Sequence, residues 1–316
     1  MNFRDLDREL EKIIRLCASL SPLRDIPFLT TWFFKIFKNY AYLPCIDNKY
    51  ITRLALDKTK LAIFITLADD LAGNFTLRNE RLLNLVTKIP KEYSSIRIKS
   101  RYLRALRRIW TEIIDSIKEY PRYNEFRKIF LFDVEQTLLS IKFEYLINTI
   151  EQLGNSFELK IYIPFEAIGV ACCDIDLMCS PSFDKNELGR VRPIFYLAQY
   201  VCHIGNVINT FPKELLERDY SCPLILLGLE KRAITKKLIE KKPKVAEEKL
   251  RVFIPHLDRK ARICLKKMRR LSKNVKSIDV EKFVDNVEKV YEEFLKKPKY
   301  WEKNSKKIKN SFTVIK

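Results

Sequence analysis

The sequence predicts an all-α fold, and three observations carry that reading. Only six of the 316 residues are glycine, and no Asn-Gly or Asp-Gly pair marks a hairpin. Apolar residues recur at helical spacing through long stretches rich in Leu, Ile, Lys and Glu. Hydrophobic residues make up 47% of the chain, which at this length supplies a sizeable core. There is no internal repeat, no low-complexity linker and no compositional break strong enough to divide the chain, so residues 1–316 are expected to form a single domain. Lys241-Lys242-Pro243-Lys244 is the best hinge candidate.

About ten helices are expected. Residues 3–20 are amphipathic, and 27–42 are strongly aromatic, with Phe28, Trp32, Phe33, Phe34, Phe37, Tyr40 and Tyr42. A helix over about 50–72 ends at Gly73, a natural C-cap. A shorter one over 77–89 is stopped by Pro90. Long amphipathic helices follow over 91–119 and 123–153, separated by Pro121 and closed by Gly154. Residues 157–180 read as an apolar helix interrupted near Pro164 and Gly169, then stopped by Pro181. Residues 185–219 form the next helix. The remainder is charged helix with proline breaks, over 223–240, 246–254, 256–274, 278–296 and 300–309.

Eight cysteines are scattered, with one adjacent pair at Cys172-Cys173. No spacing suits a zinc site or a disulfide framework, so free buried thiols in a reducing, cytoplasmic setting are expected. The first residues carry charges every few positions and lack a signal-peptide core. The longest clean apolar stretch, Leu61 to Ala68, is far short of the roughly 20 residues that cross a bilayer. The abundance of Lys, Arg and Glu fits a thermophile. The net charge of +20 is uneven, since residues 231–316 hold 28 Lys+Arg against 11 Asp+Glu. That excess is a solvated surface, a field drawing in an anionic substrate, or a patch for nucleic acid or a peripheral anionic membrane. No helix-turn-helix, zinc-finger or RNA-recognition signature accompanies it.

Two short motifs lie 137 positions apart. The first is Asp69-Asp70-Leu71-Ala72-Gly73-Asn74, after the almost uncharged Ala62–Ala68 run. Carboxylates beside such a run are costly to bury unless they are paired or hold a cation. The second is Asn206-Val207-Ile208-Asn209-Thr210-Phe211-Pro212-Lys213-Glu214. Its Asn206, Thr210 and Glu214 recur every four residues, on one helical face over roughly 12 Å. Carboxylate, amide and hydroxyl oxygens together suit a hard cation such as Mg2+. A rival reading is local. Pro212 breaks the helix, Thr210 caps a new one, and Glu214 sits at its positive end.

The two motifs, in this order and at this separation, resemble the metal-binding signature of class I terpene synthases. The resemblance implies a helical bundle of the isoprenoid synthase type around a central apolar cavity. It implies Mg2+, three ions, with Asp69 the principal ligand, Asp70 a hydrogen-bonding partner behind it, and Asn206, Thr210 and Glu214 facing them. The family's later acidic position falls on Gly73 or Asn74, which leaves Asn74 as a substitute ligand. Lys213 matches the basic residue often found before the Glu, and Val207 departs from the Asp or Asn often second. The family's diphosphate-sensing Arg falls on Lys160, and no C-terminal Arg-Tyr pair is present, with Lys306 and Lys307, or Tyr300 with nearby lysines, the nearest stand-ins. His203 shares a face with Asn206, and a packed histidine or a base that quenches a cation are both open readings. By the same periodicity Ile65, Thr66, Phe195, Gln199 and Cys202 line the pocket.

The implied activity is ionisation of an allylic prenyl diphosphate, farnesyl or geranylgeranyl, followed by cyclisation or quenching of the cation. Two alternatives stand beside it. One is a prenyltransferase of the same fold, which ordinarily carries two Asp-rich motifs. The other is a basic helical protein that binds nucleic acid without catalysis. Chain length, product skeleton and the choice between monomer and homodimer are not written in the sequence.

Overall fold

The computed structural model describes residues 3–21, 24–92, 100–150 and 152–296. Among these residues every regular element is helical. The order is α1 (Phe3–Cys17), α2 (Ile26–Asn39), α3 (Ile51–Asp70), α4 (Glu80–Val86), α5 (Ile89–Glu92), α6 (Arg101–Ile117) and α7 (Tyr123–Thr149). Then come α8 (Ser156–Tyr162), α9 (Gly169–Leu177), α10 (Leu188–Glu217), α11 (Pro223–Glu230) and α12 (Lys236–Lys241). The last are α13 (Pro243–Leu250), α14 (Ile254–Leu271) and α15 (Val280–Lys296). Side-chain N-caps start α2, α4, α6, α8 and α12. Asp25, Asn79, Ser100, Asn155 and Thr235 each accept from the N–H three residues on.

Two long helices occupy the middle. In α3 every residue from Leu54 to Ala68 except Thr66 is buried. The polar members of that run are matched. Lys58 pairs with Asp176 at 2.5 Å and donates to the Ala41 carbonyl at 2.9 Å, while Asp57 accepts from Tyr120 Oη and Ser116 Oγ at 2.6 and 2.7 Å. The second is α10, packed against α9, α13, α14 and α15. One contiguous apolar core runs from Leu6 of α1 to Tyr291 of α15. No described helix is long and apolar enough to cross a membrane.

Several expected elements divide differently. The 91–119 helix is not continuous, because Ser100 caps a fresh helix at Arg101. Pro90 lies inside the short α5, where a first-turn proline loses no helical bond. The 223–240 segment breaks at Lys231–Thr235, with Arg232 in the left-handed region at φ 56°. Residues 300–309 lie outside the described residues. The break at Pro212 that the rival reading required does not occur, and α10 runs unbroken from Leu188 to Glu217, close to the helix expected over 185–219. Proline removes one N–H, but packing on both sides holds the axis, so Thr210 is an interior residue and not a cap. Its hydroxyl bonds back to the Asn206 carbonyl at 2.8 Å.

Candidate active site

The C-terminal end of α3 presents Asp69 and Asp70. Both are gripped by Arg24, whose Nε donates to Asp70 Oδ1 at 2.6 Å and whose Nη2 donates to Asp69 Oδ2. Ser21 Oγ donates to the other Asp70 oxygen at 2.6 Å. Asp70 is fully buried and does not line the cavity described below, whereas Asp69 does. The chain then turns sharply. Gly73 N–H returns to the Asp69 carbonyl at 2.9 Å, and Arg78 donates to the Ala72 and Gly73 carbonyls at 2.8 and 3.0 Å. Gly73 is not the C-cap expected from sequence, since α3 is capped at Leu71 and no described glycine has positive φ. It is there for space, because a Cβ would overlap Glu144 Oε1 and approach Asp219 Oδ2 to 3.0 Å.

The facing wall is α10. Asn206, Thr210, Lys213 and Glu214 all line the same cavity as Asp69, about 150 Å³ in volume. Thr210 Oγ1 lies 2.5 Å from Glu214 Oε1. Lys213 Nζ pairs with Glu217 Oε2 at 2.6 Å, one turn on along the helix. Asn74 also lines the cavity, but its oxygen accepts from Thr76 N and Oγ1 at 3.0 and 2.7 Å and its Nδ2 donates to Glu217 Oε1 at 3.2 Å. That oxygen is committed to a local turn.

Two further carboxylates complete the site. Glu144 projects from the C-terminal part of α7, and Glu166 from the 3-10 turn Ile163–Ala167. One oxygen each of Asp69, Glu144 and Glu166 lies within 4.8 Å of the others. Burial, with the neighbouring Asp69 charge, pushes Glu144 and Glu166 well above the usual carboxylate range. Burial pushes Glu214 up to about 7, and Asp69 up to about 6 against the opposing Arg24 charge. Glu144 Oε2 and Glu214 Oε2 are buried without a hydrogen-bond partner. The cavity is lined by Asp69, Glu166, Glu214, Glu217 and Asp219 against Arg24 and Lys213. An oxygen-only donor set, an excess of buried negative charge and two orphaned carboxylate oxygens fit a hard divalent cation.

Below the acidic mouth the lining turns apolar. Ile65, Thr66, Cys202 and His203 sit on the cavity wall, as the helical spacing predicts. Phe33, Ala167, Ile168, Cys202 and Phe294 are shared with a neighbouring apolar cavity of about 100 Å³. Gln199 lines that second chamber, where its Oε1 accepts from Val170 N at 3.0 Å. Phe195 lines neither; it is fully buried and packs edge-on against Phe283 at 6.0 Å. His203 is buried, and burial lowers its imidazole to about 4, so it is neutral near pH 7. Lys160 is not at the acidic mouth and lines a separate cavity between α8, α10, α11 and α14. Lys306 and Lys307 lie outside the described residues.

Sequence reasoning passed over Arg24, Glu144, Glu166 and Asp219. Glu144 had a readable signal. Asp133, Thr137, Ser140 and Glu144 fall at helical spacing within the buried stripe of α7, a line of polar groups where core residues belong. Arg24 and Asp219 sit in connections and carry no such pattern.

No protein-family model and no curated protein matches the chain. Among solved structures it is similar to a linalool/nerolidol synthase from Streptomyces clavuligerus, determined in complex with 2-fluorogeranyl diphosphate. The match has a TM-score of 0.56, covers 92% of this chain and 96% of that one, and is 11% identical in sequence. The chain therefore has the all-α fold of a class I terpene synthase, as the sequence resemblance implied.

Proposed function

We propose that the chain ionises an allylic prenyl diphosphate and lets the resulting carbocation cyclise or be quenched, releasing diphosphate and a terpene hydrocarbon or alcohol. One observation carries this reading above the rest. Asp69 from α3 and Asn206, Thr210 and Glu214 from α10, remote in sequence, line one cavity whose floor is apolar. The solved structure of similar fold holds a prenyl diphosphate analogue, which supports the same substrate class here.

Asp69, Asn206, Thr210 and Glu214 are the residues that would hold Mg2+, with Glu144 and Glu166 beside Asp69. The chemistry Mg2+ supplies when bound is stabilisation of negative charge on a departing diphosphate. Arg24, on the wall of the same cavity, fixes the Asp69 carboxylate, and Lys213 adds positive charge there. In the reaction the allylic C–O bond breaks and its electron pair leaves with the diphosphate oxygen. Ile65, Phe33 and Phe294 shield the cation from water, and ring faces favour positive charge. Neutral His203 is able to accept the proton lost when the cation collapses to an alkene.

Geranyl, farnesyl and geranylgeranyl diphosphates incubated with the purified protein, with and without Mg2+ and isopentenyl diphosphate, test the reading. Mg2+-dependent release of diphosphate together with one hydrocarbon or alcohol is expected, and Asp69→Asn or Asn206→Ala should abolish it in a folded protein. Full turnover by either variant sinks the assignment. A product that requires isopentenyl diphosphate makes the chain a prenyltransferase instead.

A further inference from the structure

The cavity that holds Lys160 has a character of its own. It measures about 100 Å³ and is lined by Lys160, His256 and Lys260 over an apolar floor that includes Leu159, Ile204 and Leu257. The charged side chains on its lining are cations, and one carboxylate, Glu230, accepts from Ser156 N at its edge. Lys260 is held below the usual lysine range by burial and by Lys160, and His256 is lowered by Lys260, burial, Arg259 and Lys160. Such mutual repulsion is relieved by an anion.

The surroundings say which kind. Phe157 is 77% exposed, Val252 71% and Ile161 50%. Phe157 and Ile161 lie one turn apart on α8, adjacent in sequence to the cavity residues Ser156 and Lys160. Val252 precedes His256 by one turn. Single exposed apolar side chains are ordinary, but these three lie within one turn along the chain of residues that line the cation-bearing cavity. A cationic face with apolar tips matches the interfacial pattern by which a protein lies on anionic lipid. Residues 297–316 hold seven lysines and one glutamate, so their charge opposes rather than complements this face. A second copy would bring the same positive charge. Nucleic-acid phosphates would satisfy the lysines and leave Val252 and Ile161 without a partner.

We propose that the α8–α14 face docks on an anionic lipid surface, with Phe157, Ile161 and Val252 at headgroup depth and Lys160, Arg259 and Lys260 against lipid phosphates. His203, Val207 and Pro223 line both this cavity and the acidic one, so the docked face lies one layer of side chains from the candidate active site. The proposal accounts for part of the C-terminal excess of positive charge, and it does not depend on catalysis.

Sedimentation of the full chain with phosphatidylcholine vesicles, with and without phosphatidylglycerol, tests it without any turnover. Binding is expected only to the anionic vesicles and should weaken with salt. The double variant Lys160→Gln/Lys260→Gln should lose roughly thirty-fold in affinity, about fivefold per cation near the surface. Phe157→Ser/Val252→Ser should lose on the order of tenfold at unchanged net charge. Arg127→Gln/Lys128→Gln, on the exposed first turns of α7, should bind as the parent does. All four positions substituted for loss are exposed or half-buried, so circular dichroism should be unchanged. No vesicle binding, an equal loss in the α7 variant, or capture of duplex DNA in place of vesicles would overturn the proposal.

Discussion

Replacing Gly73 by Ala probes the candidate site at its tightest point. The glycine does not use left-handed φ, so alanine suits its backbone. What alanine lacks is room. The new methyl would overlap Glu144 Oε1 and lie 3.0 Å from Asp219 Oδ2. Hydrogen bonds from Gly73 N to the Asp69 carbonyl at 2.9 Å and from Arg78 to the Gly73 carbonyl at 3.0 Å hold the backbone. The carboxylates must therefore give way, Glu144 by about 1 Å, and a misplacement of that size in a reacting site costs roughly 100-fold in rate. Overpacking of this kind costs about 1–3 kcal/mol, a shift of a few degrees in Tm for a chain of this size. Two assays separate the terms: diphosphate release from a prenyl diphosphate at saturating Mg2+, and thermal unfolding with and without Mg2+. The expected result is a kcat/KM lower by about two orders of magnitude, a lost or reduced Mg2+-induced rise in Tm, and a Tm within a few degrees of the parent. Undiminished activity together with an unchanged Mg2+ response would refute the placement of Glu144 in the reacting cluster. A collapse in Tm would refute the view that Gly73 serves only local space.

Arg24→Gln leaves the fully buried Asp70 without its charged partner, and a loss of about 3–5 kcal/mol in chemical denaturation is expected. Because Asp69 loses the same clamp, turnover should fall in conditions where the variant remains folded. His203 supplies a pH prediction. Its folded value of about 4 is depressed below the unfolded value, so its stabilisation is present above pH ~6.5 and is lost as pH falls toward 4. That is on the order of 3 kcal/mol, and His203→Leu should flatten the acid limb of the stability curve between those limits. Widening the apolar chamber with Phe33→Ala should preserve Mg2+-dependent diphosphate release but shift the products, read by mass spectrometry of the extracted organics. An unchanged product profile would exclude Phe33 from the cavity that shapes the cation.

The helical class was written in composition and periodicity, because amphipathic spacing and scarce glycine act residue by residue and need no knowledge of partners. The Asn206/Thr210/Glu214 step was legible for the same reason: helix geometry alone places residues four apart on one face. Ile65, Thr66, Cys202 and His203 followed from that rule and do line the cavity. Phe195 obeyed the rule in direction, yet α15 supplies Phe283 against it, and no local pattern announces a distant neighbour. The rival reading of a break at Pro212 failed similarly, since local propensity was outweighed by packing on α14 and α15.

What the sequence could not contain was convergence. Glu144, Glu166 and Asp69 sit in three separate elements and meet only when α3, α7 and the turn before α9 pack together. Their raised carboxyls come from shared burial, a property of the assembled interior and not of any segment. Lys160 shows the converse. Its distance along the chain matched a diphosphate sensor, but the side chain lines a neighbouring cavity with Lys260 and His256 and not the acidic one. Sequence distance counts residues along one chain, whereas electrostatics and coordination depend on separations in space, and only tertiary packing sets those.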